Sequence, residues 1–119
     1  MVKNKIKNFP YSDKDEPYLL KIDMDWIPPK ELIEEYESFI IEYFEPHIID
    51  KIVKYISPSH NGIHWIIKTN FWMADICRLK LQFILGDDRK RCHMNWQSIQ
   101  LGMSDWNKLY IDNRYKRID

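Results

Sequence analysis

The chain has only two cysteines, no long apolar run and no net charge. Cys77 and Cys92 are too few for a disulfide scaffold, and they lack the C-x-x-C spacing of a zinc site. No apolar run approaches the roughly 18 residues that a membrane span needs, and no secretory segment precedes the first predicted strand. We therefore expect an intracellular, cytoplasmic protein that makes no contact with a membrane.

The charges are balanced overall but unevenly distributed. Residues 1–67 carry eight Lys/Arg against twelve Asp/Glu, net −4, whereas residues 68–119 carry ten against six, net +4. A total of zero argues against tight non-specific DNA binding, although the basic half could lie along phosphates. The 45% apolar content excludes wholesale disorder, and 119 residues suffice for one domain.

The order of hydrophobic patterns predicts an α+β domain. Residues 1–17 are polar and contain Pro10 and Pro17, which indicates an N-terminal arm before one domain at 18–119. Period-two alternation predicts strands at 18–26, 51–56, 63–68 and 89–96, with a further short strand near 108–112. Helical spacing predicts one helix between Pro29 and Pro46 and a second at 72–85. The apolar stripe of the second helix is Trp72, Ile76, Leu79, Phe83 and Ile84.

This order, β-α-β-β-α-β, is that of the ferredoxin-like fold and of the RRM-like palm. In that topology both helices cover one face of an antiparallel sheet. The first and third strands are central neighbours, and the fourth flanks the first. The other face is then open to solvent.

Polar side chains are predicted to meet on the open face. Asp23 and Asp25 lie two residues apart on one strand, hence on one side and roughly 6.5–7 Å apart. Carboxylates at this spacing suit Mg²⁺ or Mn²⁺. His64 on the third strand would then meet phosphates together with Ser57, Ser59, Lys68 and Arg91. A plain solvated sheet face remains the alternative, because any such face displays polar residues.

Two of these segments resemble motifs of the archaeo-eukaryotic primase superfamily, which includes the primase-polymerases of viruses and plasmids. Residues 20–25 are similar to its hhhDhD strand, and Ser57-Pro-Ser-His-Asn-Gly-Ile-His64 is similar to its S-x-S-x-x-G-x-H turn. Residues 85–95 also resemble archaeal relatives. Asn95 stands where the third acidic residue is expected, and Asp87 or Asp88 could substitute only if their loop folds back over the sheet.

The resemblance implies a minimal or degenerate primase-polymerase that acts in the replication of a virus or plasmid. Its partners would be nucleic acid and a nucleoside triphosphate. Asp23, Asp25 and His64 would be catalytic if the chain is active, Asp23, Asp25 and Asn95 would hold the metal ion, and the phosphates would contact Ser57, Ser59, His64, Lys68 and Arg91.

Two alternatives remain from the same residues. Rolling-circle nicking endonucleases use an H-hydrophobe-H metal pair and a tyrosine nucleophile; His93-Met-Asn95 is a partial match, and Tyr110 or Tyr115 would be the nucleophile. The second alternative is a non-catalytic module that binds single strands or forms a homodimer through the open sheet, where Ile66 is exposed.

Overall fold

The computed structural model describes residues 10–45 and 48–118, which fold as an α+β unit. A 3₁₀ helix at Asp13–Tyr18 comes first. The other elements, in chain order, are β1 (Leu19–Met24), α1 (Lys30–Phe44), β2 (Ile49–Ile56), β3 (Ile63–Thr69), α2 (Asp75–Ile84), α3 (Arg89–Gln100) and β4 (Lys116–Ile118). Predicted arm residues 1–9 and Pro46, the predicted end of the first helix, lie outside the described residues. None of the described helices is long and apolar enough to cross a membrane.

The strands form one antiparallel sheet in the order β1-β3-β2-β4. The predicted α+β class, the antiparallel sheet and the pairing of the first strand with the third are therefore confirmed. The ferredoxin-like strand order is wrong, because β4 pairs with β2 and β1 is left at the edge. No described strand occupies the position beside β1 that the prediction gave to the fourth strand.

The predicted fourth strand, residues 89–96, is instead the start of α3. Asp88 caps this helix by accepting a hydrogen bond from the Arg91 backbone N–H at 2.9 Å. Cys92, Asn95 and Ile99 follow at helical spacing and turn inward. A helix-spaced inward face was therefore misread as strand alternation. The predicted short strand at 108–112 is irregular chain, and β4 begins only at Lys116.

The main core lies between the sheet and the helices α1 and α2. Leu20 and Ile22 of β1 are fully buried in it, as the alternation predicted. The side chains that join them from other elements are Ile33, Ile40 and Phe44 of α1, Ile63, Trp65 and Ile67 of β3, and Met73 and Leu85 beside α2.

The opposite face of the sheet is not open, and this prediction is wrong. Ile66, expected to be exposed, is 1% exposed because Ile111 and its neighbours cross the face. The second cluster under this cover consists of Leu19, Val53, Tyr55, Ile66 and Ile111, with Tyr11, Leu109 and Tyr115 packed against it. The bare sheet surface required for dimerisation or strand binding is therefore covered by the chain itself.

Three side chains and one backbone N–H form hydrogen bonds with the outer N–H and carbonyl groups of β1, where no described strand pairs. The Lys21 N–H donates to Gln82 Oε1 at 2.9 Å, and the Lys21 carbonyl accepts from Arg91 Nη1 at 3.0 Å. The Asp23 N–H donates to Asp87 Oδ1 at 2.8 Å, and the Asp23 carbonyl accepts from the backbone N–H of Asp88 at 3.0 Å. We call these four hydrogen bonds the edge clamp. They replace the ladder of a missing neighbour strand.

The edge clamp also explains which side of α2 faces inward. Gln82 is fully buried and exchanges two hydrogen bonds with the amide of Asn107, at 2.8 and 3.1 Å. Arg78 is buried and donates to Glu16 Oε2 at 2.8 Å. Of the predicted apolar stripe, Leu79 is buried, whereas four side chains are exposed: Trp72, Ile76, Phe83 and Ile84.

We predict that Gln82→Leu lowers the free energy of unfolding by about 1–3 kcal/mol. The leucine would fill the same space but would deprive the Lys21 N–H and the Asn107 side-chain N–H of the Gln82 oxygen to which both donate. Urea unfolding measures the loss. Gln97→Leu, on the exposed side of α3, is the control and should change stability by less than about 0.5 kcal/mol. Equal stability of the two variants would contradict the edge clamp.

Candidate functional site

Asp23 and His64 form a direct pair between neighbouring strands. They are opposite each other in the β1–β3 register, and His64 Nε2 lies 3.2 Å from Asp23 Oδ1. His64 is buried, and its other ring nitrogen, Nδ1, has no hydrogen-bond partner among the described residues. The period of two on both strands thus brings the predicted carboxylate and imidazole together.

The serine-rich turn joins β2 to β3 and packs against the end of β1. The Ser57 N–H donates to the Gly62 carbonyl at 3.1 Å, which closes the turn. Ser59 Oγ donates to Asn61 Oδ1 at 2.6 Å and lies 3.3 Å from Ser57 Oγ, so both hydroxyls are held in the turn. A Cβ atom at Gly62 would lie 3.0 Å from the Met24 carbonyl oxygen. The glycine therefore permits the close approach of turn and strand.

The strand motif and the turn motif line one cleft of about 540 Å³. Its lining residues are Asp23, Asp25, Ser57, Pro58, Ser59, Asn61, Gly62, His64, Arg114 and Tyr115. Five of the predicted site residues, Asp23, Asp25, Ser57, Ser59 and His64, are thus brought together. Tyr115, the predicted alternative nucleophile, joins them.

Lys68 and Arg91, the predicted phosphate contacts, do not line this cleft. The Lys68 ammonium lies 3.3 Å from Asp50 Oδ2 and over the ring of Tyr18. The Arg91 guanidinium belongs to the edge clamp and is 2.6 Å from Asp87 Oδ2. The predicted position of Arg91 on the sheet face is wrong, because Arg91 belongs to α3. Lys68 lies on the same side of β3 as His64, as predicted, but at the end of the strand away from the cleft.

Asn95 and Tyr110 also lie away from the cleft. Asn95 is on the buried side of α3, and its side-chain nitrogen has no partner among the described residues. The expected position of Asn95 on the sheet face is wrong for the same reason as that of Arg91. Tyr110 is exposed, with its ring 6.3 Å from that of Tyr115. His93 is exposed on α3.

The loop between α2 and α3 folds back to the outer edge of β1, whereas replacement of the third acid by Asp87 or Asp88 required the loop to lie over the sheet. The Asp88 carboxylate lies within hydrogen-bonding reach of Asp25. This contact, then burial and the charges of Asp88, Asp23 and Asp87, raise the pKa of Asp25. Asp87 and Asp88 also border a second hollow of about 390 Å³ that shares Asp23 and Asp25 with the cleft.

The sequence did not identify Arg114 as a site residue. Its guanidinium is held by Asp112, at 2.7 Å from Nη2 to Oδ2, and its backbone N–H donates to Asp112 Oδ1 at 2.9 Å. The ring of Tyr115 packs on that of His64 with centroids 5.0 Å apart. An aspartate two residues before Arg114 is typical of an Asx turn, and this pattern in the sequence could have indicated that Arg114 is held in a turn.

The surroundings shift the pKa values of Asp112, Arg114 and Tyr115. Hydrogen bonds from Arg114 lower the pKa of Asp112 to about 2, and Asp112 in turn raises the pKa of Arg114. Burial, followed by the charges of Asp112 and Asp23, raises the pKa of Tyr115. The arginine is therefore fully charged at neutral pH, and the phenol is protonated.

The chain matches no protein-family model, no curated protein and no solved structure. Its chemistry must therefore be argued from the cleft alone. The two aspartates face a turn that presents two hydroxyls, and Arg114 is the one Lys or Arg that lines the cleft in the described chain. Because Arg114 is already paired with Asp112, the carboxylates would repel a polyphosphate unless a cation neutralised them.

The side chains of the cleft suit a cation whose ligands are mostly supplied by water and substrate. Among residues 10–45 and 48–118, no three His, Cys, Asp or Glu side chains are grouped closely enough to hold a metal ion. Carboxylates do occur in neighbouring couples, Asp23 with Asp25 and Asp25 with Asp88. Mg²⁺ is commonly bound by one or two carboxylates, with water and phosphate oxygens completing the shell. Oxygen ligands of this type favour Mg²⁺ or Mn²⁺ over zinc.

We predict that Gly62→Ala destabilises the chain by about 1–3 kcal/mol, because the added methyl group meets backbone that cannot move independently. Thermal unfolding measures this change. His60→Gly is the control in the same turn, since His60 has φ 60° and glycine relieves this left-handed conformation. If Gly62→Ala leaves the unfolding temperature unchanged, the turn does not pack closely against β1.

Proposed function

We propose that the chain is a minimal primase-polymerase-type domain that binds a divalent metal ion and the phosphates of a nucleoside triphosphate. Its partners are nucleoside triphosphate and nucleic acid, in the replication of a virus or plasmid. The observation that carries the proposal is the meeting of two motifs, separated in the chain, in one cleft. Each resembles a motif of the archaeo-eukaryotic primase superfamily, although the sheet order differs from that of the RRM-like palm.

The proposed roles follow from the position of each side chain in the cleft. Asp23 and Asp25 would hold Mg²⁺ or Mn²⁺, whereas Asp88 borders the neighbouring hollow and would act through its contact with Asp25 and not as a third ligand. His64 fixes the orientation of the Asp23 carboxylate through their 3.2 Å contact. The hydroxyls of Ser57 and Ser59 lie side by side in the turn and would donate to phosphate oxygens, with Ser59 exchanging its hydrogen bond to Asn61 Oδ1 for one to phosphate.

The reaction supported by this arrangement is nucleotidyl transfer. A 3′ hydroxyl attacks the α-phosphate, the bond to the β-phosphate breaks, pyrophosphate leaves, and a carboxylate of the cleft accepts the proton of the hydroxyl. The bound metal ion would neutralise charge on the phosphates. The protein contributes position and charge: a rigid strand end on one side of the substrate and a hydroxyl-bearing turn on the other.

Asp23→Asn tests the proposed metal site. We expect Mn²⁺ affinity to fall at least about tenfold, because the amide lacks the charge of the carboxylate but keeps its size. Binding of a fluorescent nucleoside triphosphate in Mn²⁺ should fall with it. Metal titration by calorimetry and fluorescence anisotropy provide the two measurements.

Asp105→Asn is the matched control, because Asp105 is an exposed carboxylate whose ion-pair partner is Lys108, away from the cleft. It should leave both affinities unchanged. If the unmodified chain binds neither Mn²⁺ nor the nucleotide, or if both aspartate variants bind as well as the unmodified chain, the proposed function is wrong.

Tyr115 supports a second candidate function, that of a nicking endonuclease. Its ring packs on that of His64, and it lines the same cleft as Asp23 and Asp25. Attack of the phenol oxygen on a DNA phosphate would join tyrosine to the 5′ end and release a 3′ hydroxyl. The raised pKa of Tyr115 opposes this reaction, since a base or metal must first remove the proton.

Tyr115→Phe distinguishes this candidate from nucleotidyl transfer. A nicking enzyme incubated with single-stranded DNA and Mn²⁺ should form a covalent protein–DNA adduct that Tyr115→Phe abolishes. Tyr110→Phe is the matched control, because Tyr110 is exposed and does not line the cleft. Denaturing gel electrophoresis detects the adduct. We expect none from any of the three chains if the cleft acts by nucleotidyl transfer.

A further inference from the structure

We infer that Arg114 is the cationic contact for the polyphosphate of the substrate; this inference rests on the proposed function. Arg114 lines the cleft beside the carboxylates and the serine turn. It comes from the C-terminal segment, which neither resembled motif includes. Its guanidinium presents several donors in one plane, a geometry that suits phosphate oxygens.

The other cations predicted or observed near β1 have structural partners. Lys21 Nζ lies 2.7 Å from Glu16 Oε1 and also donates to the Asn107 carbonyl. Arg91 contacts Asp87 in the edge clamp, and Lys68 is paired with Asp50. These contacts hold the three side chains away from the cleft. A phosphate in the cleft would therefore have Arg114 as its basic neighbour.

The turn at 112–115 holds Arg114 in place while leaving its side chain accessible. Asp112 contacts the guanidinium through both carboxylate oxygens, and its backbone carbonyl accepts from the Tyr115 N–H at 3.1 Å. Tyr115 is in turn packed on His64. The Arg114 side chain is nevertheless 69% exposed. A ligand can thus reach a guanidinium whose direction is already set.

A cation at this position has opposite effects on the two ligands of the cleft. Arg114 attracts the polyphosphate, but it repels a bare divalent metal ion held by Asp23 and Asp25. Removing Arg114 should therefore weaken phosphate binding without weakening metal binding. Loss of a metal-binding carboxylate weakens both. A purely structural role for Arg114 would lower both affinities together, or neither.

The test uses the full chain, Mn²⁺ and inorganic triphosphate as the competitor of a fluorescent nucleoside triphosphate. We expect Arg114→Ala to weaken triphosphate binding roughly 10- to 100-fold, as for the loss of a charge-assisted hydrogen bond. Affinity for Mn²⁺ alone should stay equal or rise slightly. Arg114→Gln, which keeps the length and polarity of the side chain, should show the same loss. Unfolding temperatures verify that both variants are folded.

Lys116→Ala is the control, because Lys116 is exposed on β4, two residues away, and does not line the cleft. Triphosphate affinity equal to that of the unmodified chain in both Arg114 variants would overturn the inference. The proposed function would survive that result if Asp23→Asn still lost both ligands. Absence of Mn²⁺ and triphosphate binding in the unmodified chain would overturn both.

Discussion

The edge clamp is the interaction on which the rest of the structure depends. β1 stands at the border of the sheet, so its outer N–H and carbonyl groups need partners that no described strand provides. Gln82, Arg91 and the Asp87–Asp88 loop supply them. Because two of these bonds are made to the backbone of Asp23, the clamp also fixes the strand end that carries the candidate carboxylates. Stability and the geometry of the cleft therefore have a common origin.

The segment at 109–115 covers the face of the sheet that lies opposite the helices. It covers the middle of the sheet face with Ile111 and ends beside the cleft with Arg114 and Tyr115. The middle of this face is therefore buried, and the cleft lies at the end of β1 beside the turn before β3. Residues from three separate segments line this cleft: the end of β1, the turn before β3, and the C-terminal turn. The cleft is thus a product of tertiary structure.

Local pattern was sufficient to predict part of this arrangement. The alternation in β1 and β3 predicted the face on which Asp23 and His64 lie, because the strand period is a local property, whereas their pairing followed from the predicted order of elements. The failure at 89–96 was also local in origin: a cap at Asp88 and helix-spaced inward residues competed with apparent alternation. The burial of Gln82 could not be predicted from hydrophobicity, since it depends on a hydrogen bond to a strand 61 residues away.

The balance of charge decides what the cleft can do. His64 is bound to Asp23, so its Nε2 is occupied by a carboxylate and is not free for a phosphate. Asp25 has Asp88 beside it, and the proximity of two carboxylates favours either a shared proton or a cation between them. The single arginine at the opening is partly neutralised by Asp112. A polyphosphate without a cation would be repelled here, so the proposed phosphate chemistry depends on the proposed metal ion.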